Sequence, residues 1–311
     1  MRNGLAAWFQ GVLSGELRMA RSIIALGCVC AVVGCSDAGA GSVYPVTIEA
    51  GEAHEFEVQL TSDVLVPKDV DSLRAVITSP GLPGTSAFDA ELGSASLQLP
   101  ASLAAVYGGA AGGVFRAEVT VWKGAEPFTV VRAAAPIPAS GSGVLRLGIS
   151  WLCAGTARES APGQVVSTCP VGQSCRAGAC QPDDRSAEVL PAVDAQGALD
   201  ACFDVVGCMA DARVALVDRA TCTIAKDAGF VATNFAVVKP PQTSGACTAA
   251  RCLVALNPDA HEGWSDVGAA IALPPALCAA LGDGRATEVI QSAACPSKLV
   301  AARSCDPGAV Q

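Results

Sequence analysis

The chain has 311 residues, enough for two domains, and 51% of them are hydrophobic although only 5% are aromatic. It carries 29 acidic and 20 basic residues, and its formal net charge of −9 argues against the extended basic surfaces that bind nucleic acid. Aromatic-poor cores bury little area per side chain, so we expect covalent support, and the 15 cysteines predict a disulfide framework.

A signal peptide is predicted over residues 1–34, with Met19 as the translation start. Met19-Ala20-Arg21 forms a short basic start, and an apolar run over residues 22–33 follows it. A run of this length is too short for a membrane-spanning helix, which needs about 20 residues, and it is typical of a signal peptide. We therefore expect this segment to direct export and then to be removed.

The end of the apolar run, Val32-Val33-Gly34-Cys35, resembles the lipobox of bacterial lipoproteins. In that family the cysteine thiol receives a diacylglyceryl group and becomes the N-terminal residue. The resemblance implies lipidation of Cys35 with palmitate-type chains, a membrane as partner, and loss of Cys28 and Cys30 with the signal. Ser36 instead of Asp follows the cysteine, which favours the outer membrane or cell surface. The alternatives are an ordinary signal peptide and a buried helix of a protein that is not exported.

After the anchor, residues 35–43 form a flexible tether, and residues 44–152 are predicted to form a β-sandwich domain without cysteines. The stretch HEFEVQL alternates between apolar and polar side chains, as a half-buried strand does. Seven short strands in about 110 residues are typical of immunoglobulin-like or fibronectin-like sandwiches, a likeness of architecture only. The expected strand runs are 46–48, 54–60, 73–78, 95–99, 114–122, 128–134 and 143–152.

Residues 153–180 carry four cysteines and are predicted to form a small disulfide-rich module. They resemble the short Cys-rich knots of exported bacterial lipoproteins and, loosely, part of an epidermal-growth-factor-type module. A zinc site is disfavoured because this stretch has neither Cys-x-x-Cys pairs nor histidines. Of the three possible connectivities, we favour Cys153 with Cys175 and Cys169 with Cys180.

A linker over residues 181–197 is predicted to lead into a second domain over residues 198–305, and residues 306–311 form a tail. The stretches ARVALVD, FVATNFAVV, CLVAL, GAAIAL and TEVIQSA are expected to be strands of this domain. One helix is expected in PPALCAALGDG, with Pro274-Pro275 at its start and Gly282 at its end. The predicted fold class is therefore mainly β, with two sandwich-like domains joined by the disulfide-rich module.

The second domain holds eight cysteines, whose pairing the sequence does not determine. Short loops favour Cys202 with Cys208 and Cys247 with Cys252, which leaves four cysteines to close longer loops. Together with the module, the chain has twelve candidate disulfide cysteines, an even number. They are Cys153, Cys169, Cys175, Cys180, Cys202, Cys208, Cys222, Cys247, Cys252, Cys278, Cys295 and Cys305.

The stretch NPDAHEGWSD, residues 257–266, is the candidate ligand loop. Carboxylates beside an aromatic side chain are compatible with a calcium site or a surface that binds carbohydrate. The loop lacks the regular ligand spacing and central glycine of a calcium loop, so the alternative is a solvated acidic turn with its tryptophan packed at a sandwich edge. No metal or cofactor is predicted. The candidate residues are Asp259, His261, Glu262, Trp264 and Asp266.

The chain contains no G-x-S-x-G, H-E-x-x-H or S-x-x-K motif and no phosphate-binding glycine loop. Its two histidines, His54 and His261, are far apart in sequence, and its carboxylates show no spacing that identifies an acid–base pair. We therefore predict a non-enzymatic lipoprotein that acts in binding, in adhesion or as an envelope scaffold, with an envelope protein or glycan as partner. A carbohydrate- or calcium-binding module and an unrecognised glycan hydrolase are the alternatives.

Overall fold

The computed structural model describes most of the chain beyond residue 53, and this part belongs to one compact unit, Gly41–Gln311. The predicted signal peptide, lipobox, tether and C-terminal tail, and the strand run at 46–48, lie outside the described residues. The described ranges are 54–78, 85–93, 97–107, 113–137, 143–186, 190–191, 202–226, 233–300 and 302–305.

The first part of the chain contributes strands to two four-stranded sheets. The strands are β1 (His54–Ser62), β2 (Ser72–Thr78), β3 (Thr85–Glu91), β4 (Ala101–Tyr107), β5 (Val114–Lys123), β6 (Glu126–Pro136), β7 (Gly143–Ile149) and, later in the chain, β12 (Leu190–Pro191). One sheet has the order β3-β2-β5-β6 and is antiparallel throughout. The other has the order β12-β7-β1-β4, and its β1 and β7 run parallel. This order differs from the immunoglobulin pattern, where strands A, B, E and D form one sheet and C, F and G the other.

Side chains from both sheets meet in one hydrophobic core. Val58 and Leu60 of β1 are fully buried, as the alternation in HEFEVQL predicts. Gln59, on the expected polar face, is fully buried as well, and it accepts from Arg146 Nε at 3.0 Å. The same core contains Phe115 of β5, from the other sheet. This packing fixes the ends of β1 and β7, where the chain places Asp63 and Ser150 directly after the last strand residues.

One expected strand in this part is wrong. Residues 97–99 form an irregular connection between β3 and β4, in which Leu97 makes an isolated bridge to Leu92. The sequence of β3, TSAFDAE, was not recognised because it has one large apolar residue, Phe88. Strand β3 lies at a sheet edge and leaves alternate residues exposed, so little apolar surface is required of it.

The disulfide-rich module consists of a 3-10 turn and two antiparallel hairpins that contact β6. Its elements are the turn (Trp151–Cys153), β8 (Ala157–Ala161), β9 (Gln164–Ser167), β10 (Gln173–Arg176) and β11 (Ala179–Pro182). Cys153 is bonded to Cys175 and Cys169 to Cys180, the connectivity favoured from the sequence. Both disulfides therefore join residues within the module, and the module packs against the sheet that contains β6.

The first residues of the predicted linker, 181–197, are part of the fold. Ala134 donates its backbone N–H to Asp183 O at 2.6 Å, and Arg185 N donates to Ala134 O at 2.7 Å, so this segment is added alongside β6. The side chain of Arg185 is fully buried, and its Nη1 donates to Arg146 O at 2.9 Å. The polar composition of this stretch predicted a linker. Composition alone does not show that Ala134 provides backbone partners for it or that Arg146 O accepts from the buried guanidinium of Arg185.

The last third of the chain forms a five-stranded sheet, a four-stranded sheet and two helices. The strands are β13 (Cys202–Phe203), β14 (Arg213–Val214), β15 (Val217–Asp218), β16 (Thr223–Ala225), β17 (Asn234–Lys239), β18 (Ala246–Cys247), β19 (Cys252–Ala255), β20 (Ser265–Asp266), β21 (Ala270–Ala272), β22 (Glu288–Ser292) and β23 (Arg303–Ser304), and the helices are α1 (Val205–Cys208) and α2 (Pro275–Asp283). The larger sheet has the order β14-β22-β17-β19-β18, and the smaller has the order β15-β16-β21-β20. Strands β13 and β23 form a separate parallel pair.

The five-stranded sheet is covered on both faces. Phe235 of β17 packs in the larger core, which also contains Leu277 of α2. Its neighbour Ala236 packs in a second core with Met209, which follows α1. Leu65, from the connection after β1, belongs to the same second core, so the first and last parts of the chain share buried apolar contacts.

Helix α2 begins as expected and ends two residues later than predicted. Pro274 precedes it and Pro275 occupies its first turn, where a missing N–H carries no penalty. It ends at Gly284 rather than Gly282, because Gly284 has a φ of 82°, the left-handed conformation that closes a helix.

The predicted bond between Cys202 and Cys208 is wrong. Cys202 is bonded to Cys305 and Cys208 to Cys295, and we call these two bonds the terminal clasp. The reason is local structure: Asp204 caps helix α1 by accepting from Gly207 N at 2.9 Å, and the helix separates the two cysteines that are close in sequence. The other bonds of this region join Cys222 to Cys278 and, as expected, Cys247 to Cys252.

Candidate functional site

The candidate ligand loop is a self-capped turn between β19 and β20. Asp259 Oδ1 accepts from His261 N at 2.7 Å and from Glu262 N at 3.1 Å, as acidic residues often do in turns. Trp264 N donates to Asn257 O at 2.8 Å and closes the loop at its base. The carboxylate of Asp259 therefore serves the loop's own backbone.

Trp264, Asp266 and His261 of the candidate loop do not converge on one site. Trp264 packs edge-on against Phe235 of the core, with ring centroids 4.9 Å apart. Asp266 pairs with Lys226 at the surface, and His261 is exposed. Among the described residues, no three side chains of the kinds that bind metal lie close enough together to hold an ion.

Glu262 turns inward and joins the loop to the first part of the chain. Its Oε1 accepts from Gly148 N of β7 at 3.1 Å and lies 3.8 Å from Nη1 of Arg185. A Cβ at position 148 would collide with this carboxylate, so glycine is required for the approach. Burial raises the pKa of Glu262 above its usual range, and the Arg185 guanidinium offsets this in part. The loop thus acts here as a structural bridge.

Replacing Glu262 by alanine is expected to lower the free energy of unfolding by about 3 kcal/mol, because Gly148 N loses its acceptor and the buried Arg185 loses its carboxylate. The matched control is Asp266→Ala in the same loop, which removes an exposed ion pair with Lys226 and should cost clearly less, because solvent screens surface pairs. Urea unfolding of the two variants measures the difference. Equal losses would show that the inward contact of Glu262 contributes nothing beyond a surface pair.

A second set of charged side chains is buried where the two parts of the chain meet. Asp63 Oδ2 accepts from Ser150 Oγ at 2.7 Å, and Asp63 Oδ1 accepts from Trp151 N at 2.7 Å. Burial raises the pKa of Asp63 to about 7, while these two hydrogen bonds and the positive charge of Lys298 act in the opposite direction. Asp63 comes from the first part of the chain and Lys298 from the last, so their interaction spans the molecule.

Two lysines complete this buried set. Lys298 Nζ donates to Asn257 Oδ1, and burial lowers the pKa of Lys298 to about 8. Lys239, at the end of β17, lies 4.2 Å above the ring of Trp151, and burial likewise lowers its pKa to about 8. A cation above a tryptophan face is an attractive arrangement that strengthens when water is excluded.

A small cavity with room for about one water molecule lies beside Asp63 and Glu262. Thr61, Asp63, Ser150, Asn257 and Glu262 are among the residues that line it. Two carboxylates therefore approach one cavity, but its size excludes a sugar ring or a peptide. The arrangement holds the two parts of the chain together through polar contacts.

Sequence reasoning did not identify Asp63, Lys239 or Lys298. One signal was available: Lys239 ends the apolar run FAVVK, and Asp63 lies between a buried strand and the apolar stretch Val64-Leu65-Val66. A charged residue beside a continuous apolar run is either at the surface or buried with partners, and the partners here come from distant parts of the chain.

No family model, curated protein or solved structure matches this chain. Within the described ranges, no helix is long and apolar enough to cross a membrane. Function is therefore inferred from the chemistry of this chain's own residues.

Proposed function

We propose that the protein is an exported lipoprotein, anchored through Cys35 in the bacterial outer membrane or at the cell surface. In this proposal it acts without enzymatic activity, as a binding, adhesion or scaffold protein whose partner is an envelope protein or a glycan. Its two β-rich regions serve as sandwich-like domains held in a fixed orientation.

The observation that carries this proposal is the pairing of every cysteine from Cys153 onward in six disulfides. Disulfide-dense proteins are made in oxidising compartments, because cytosolic thiols are kept reduced. Cys28, Cys30 and Cys35 lie upstream of this set in the sequence. Their separation from the paired cysteines agrees with a signal segment that ends in a lipidated cysteine.

The buried charges support a fixed arrangement of the two regions. Glu262 accepts from Gly148 N of β7, and Lys298, from the far end of the chain, is buried near Asp63. A rigid support is the usual setting for binding loops at a protein surface. A glycan hydrolase would need a cleft between two carboxylates, whereas Asp63 and Glu262 line a cavity of about one water molecule.

The lipid anchor is tested by expressing the full chain in a Gram-negative host and separating membranes from soluble protein. The wild-type protein is expected in the membrane fraction, and Cys35→Ala should move it to the soluble fraction because the acyl attachment site is lost. Cys30→Ala is the matched control and should leave the protein in the membrane fraction. Membrane retention of Cys35→Ala at the wild-type level would refute anchoring through this residue.

A further inference from the structure

The hairpin of β18 and β19 carries a disulfide between directly opposite residues. Cys247 and Cys252 are register partners, and the turn between them closes where Thr248 N donates to Arg251 O at 2.8 Å. Cys247 is partly exposed, whereas Cys252 is fully buried. Cys247 is thus the more accessible residue of the pair.

A lysine from the first part of the chain lies on the accessible sulfur. Lys68 Nζ is 2.7 Å from Cys247 Sγ and also donates to Thr243 O and Gly245 O, each at 2.7 Å. Asp69 Oδ1 is 3.9 Å from this ammonium, and Asp69 Oδ2 accepts from Gly245 N at 2.8 Å. The Lys68 side chain is 41% exposed, so it holds a positive charge beside the sulfur at the protein surface.

We propose that Cys247–Cys252 is an exchangeable disulfide, opened by dithiol reductants, and that its reduced form reacts with disulfides of partner proteins. Nearby lysines favour the thiolate of a cysteine, and the thiolate is the reactive form. An ammonium beside Cys247 also attracts an incoming thiolate and stabilises the negative charge spread over the reacting sulfurs. Cys247 is therefore the attacked sulfur in the oxidised form and the nucleophile in the reduced form.

The exchange is balanced in two steps. A thiolate of the dithiol attacks Cys247 Sγ, the bond to Cys252 Sγ breaks, and the Cys252 thiolate leaves and takes a proton. The second thiol of the reductant then loses its proton and attacks the mixed disulfide, which releases Cys247 as a thiolate. Two electrons have passed to the protein, and the reductant has become a disulfide. In the reverse direction Cys247 attacks a partner's disulfide and Cys252 resolves the mixed bond.

The surroundings of the hairpin tolerate this opening. The bond closes the shortest loop of the six disulfides, with a sequence separation of 5. Breaking it therefore increases the conformational entropy of the unfolded chain less than breaking any of the others. Cys252 lies opposite Lys239 in the neighbouring strand, and Thr243 O is 3.7 Å from its sulfur, ready to accept from a reduced thiol. The strand pairing of β19 with β17 continues independently of the bond.

The test is timed reduction of the oxidised protein with dithiothreitol, quenched by alkylation and mapped by peptide mass. Cys247–Cys252 is expected to open before the other five bonds. Lys68→Met should slow its opening about three- to tenfold by removing the ammonium. Lys123→Met is the matched control, because Lys123 contacts Asp71 and Pro67 O instead and should leave the rate unchanged.

Whether Lys68→Met slows or speeds the opening of Cys247–Cys252 distinguishes an electrostatic role of Lys68 from a purely structural one. If Lys68 only held the hairpin in place, Lys68→Met would loosen it and the bond would open faster. Faster opening, a rate equal to that of Lys123→Met, or earlier opening of another disulfide would overturn the proposal. A second readout uses Cys252→Ser: the pKa of the remaining Cys247 thiol, followed with an aromatic disulfide, should fall below the ordinary value of about 8.5. A value at or above it would also overturn the proposal.

Discussion

Removal of the terminal clasp, by changing Cys202, Cys208, Cys295 and Cys305 to serine, should lower the free energy of unfolding by about 7 kcal/mol. The bonds close loops with sequence separations of 103 and 87 residues, and Cys222–Cys278 lies inside both loops and stays intact. Cys208–Cys295 then closes a residual loop of about 31 residues, worth about 4 kcal/mol. With Cys208–Cys295 intact, Cys202–Cys305 closes a residual loop of about 16 residues, so its loss alone should cost about 3 kcal/mol. A loss of about 7 kcal/mol matches the whole stability of many domains, so the last third of the chain should not fold.

Urea unfolding measured with the single-pair and two-pair variants checks this ordering. The control is Cys247→Ser with Cys252→Ser, which opens the short hairpin loop and should cost about 2 kcal/mol. The two-pair variant should lose near-ultraviolet dichroism and become sensitive to proteases, whereas the hairpin control should keep both properties. A two-pair variant as stable as the control would refute the clasp as the main covalent support.

Replacing Asp63 by asparagine should stabilise the protein in a pH-dependent manner. The pKa of Asp63 is raised by burial to about 7, from an ordinary value near 3.8. The folded wild-type protein therefore keeps a proton that the unfolded chain releases near pH 4, and its stability falls as the pH rises from about 4 to about 7. Asparagine carries no charge and avoids this loss. The variant should equal the wild type near pH 4 and exceed it by up to about 4 kcal/mol near pH 7.5, a gain that is reduced because Lys298 and Lys239 lose a nearby carboxylate.

The pKa values of the ionisable groups around Asp63 limit the pH range in which its own titration can be measured. Lys298 and Lys239 both have pKa values lowered by burial to about 8, so they stay protonated through most of the range. Glu262 also lies close enough to raise the pKa of Asp63. The control is Asp266→Asn at an exposed position: because the contact with Lys226 lowers the pKa of Asp266, its stability curve should run parallel to that of the wild type above about pH 5. Asp63→Asn losing stability with rising pH would show that Asp63 is an ionised partner of Lys298 in the fold.

The sequence predicted those parts of the fold that depend on local patterns. The alternation in HEFEVQL identified β1, and the spacing of Pro274-Pro275 and a following glycine identified helix α2. The short separation of Cys247 and Cys252 predicted their bond, although the same criterion paired Cys202 wrongly with Cys208. In each case neighbours along the chain are also neighbours in space, so a local pattern is informative.

Features that depend on distant contacts were not predicted. Cys202 pairs with Cys305 because β13 lies beside β23, and no local pattern reports that pairing. Glu262 was proposed as a ligand because its loop combines carboxylates with an aromatic side chain, yet its partner Gly148 lies on a strand more than 100 residues away in sequence. Asp63 and Lys298 likewise come from opposite ends of the chain.

The intact mass of the protein purified from its native membrane, with and without reduction before alkylation, tests export and the disulfide framework together. We expect a chain that starts at Cys35, carries added acyl mass, and shows twelve alkylated thiols after full reduction but none before it. An unprocessed chain that retains Cys28 and Cys30 and shows free thiols without reduction would contradict both the export and the disulfide framework.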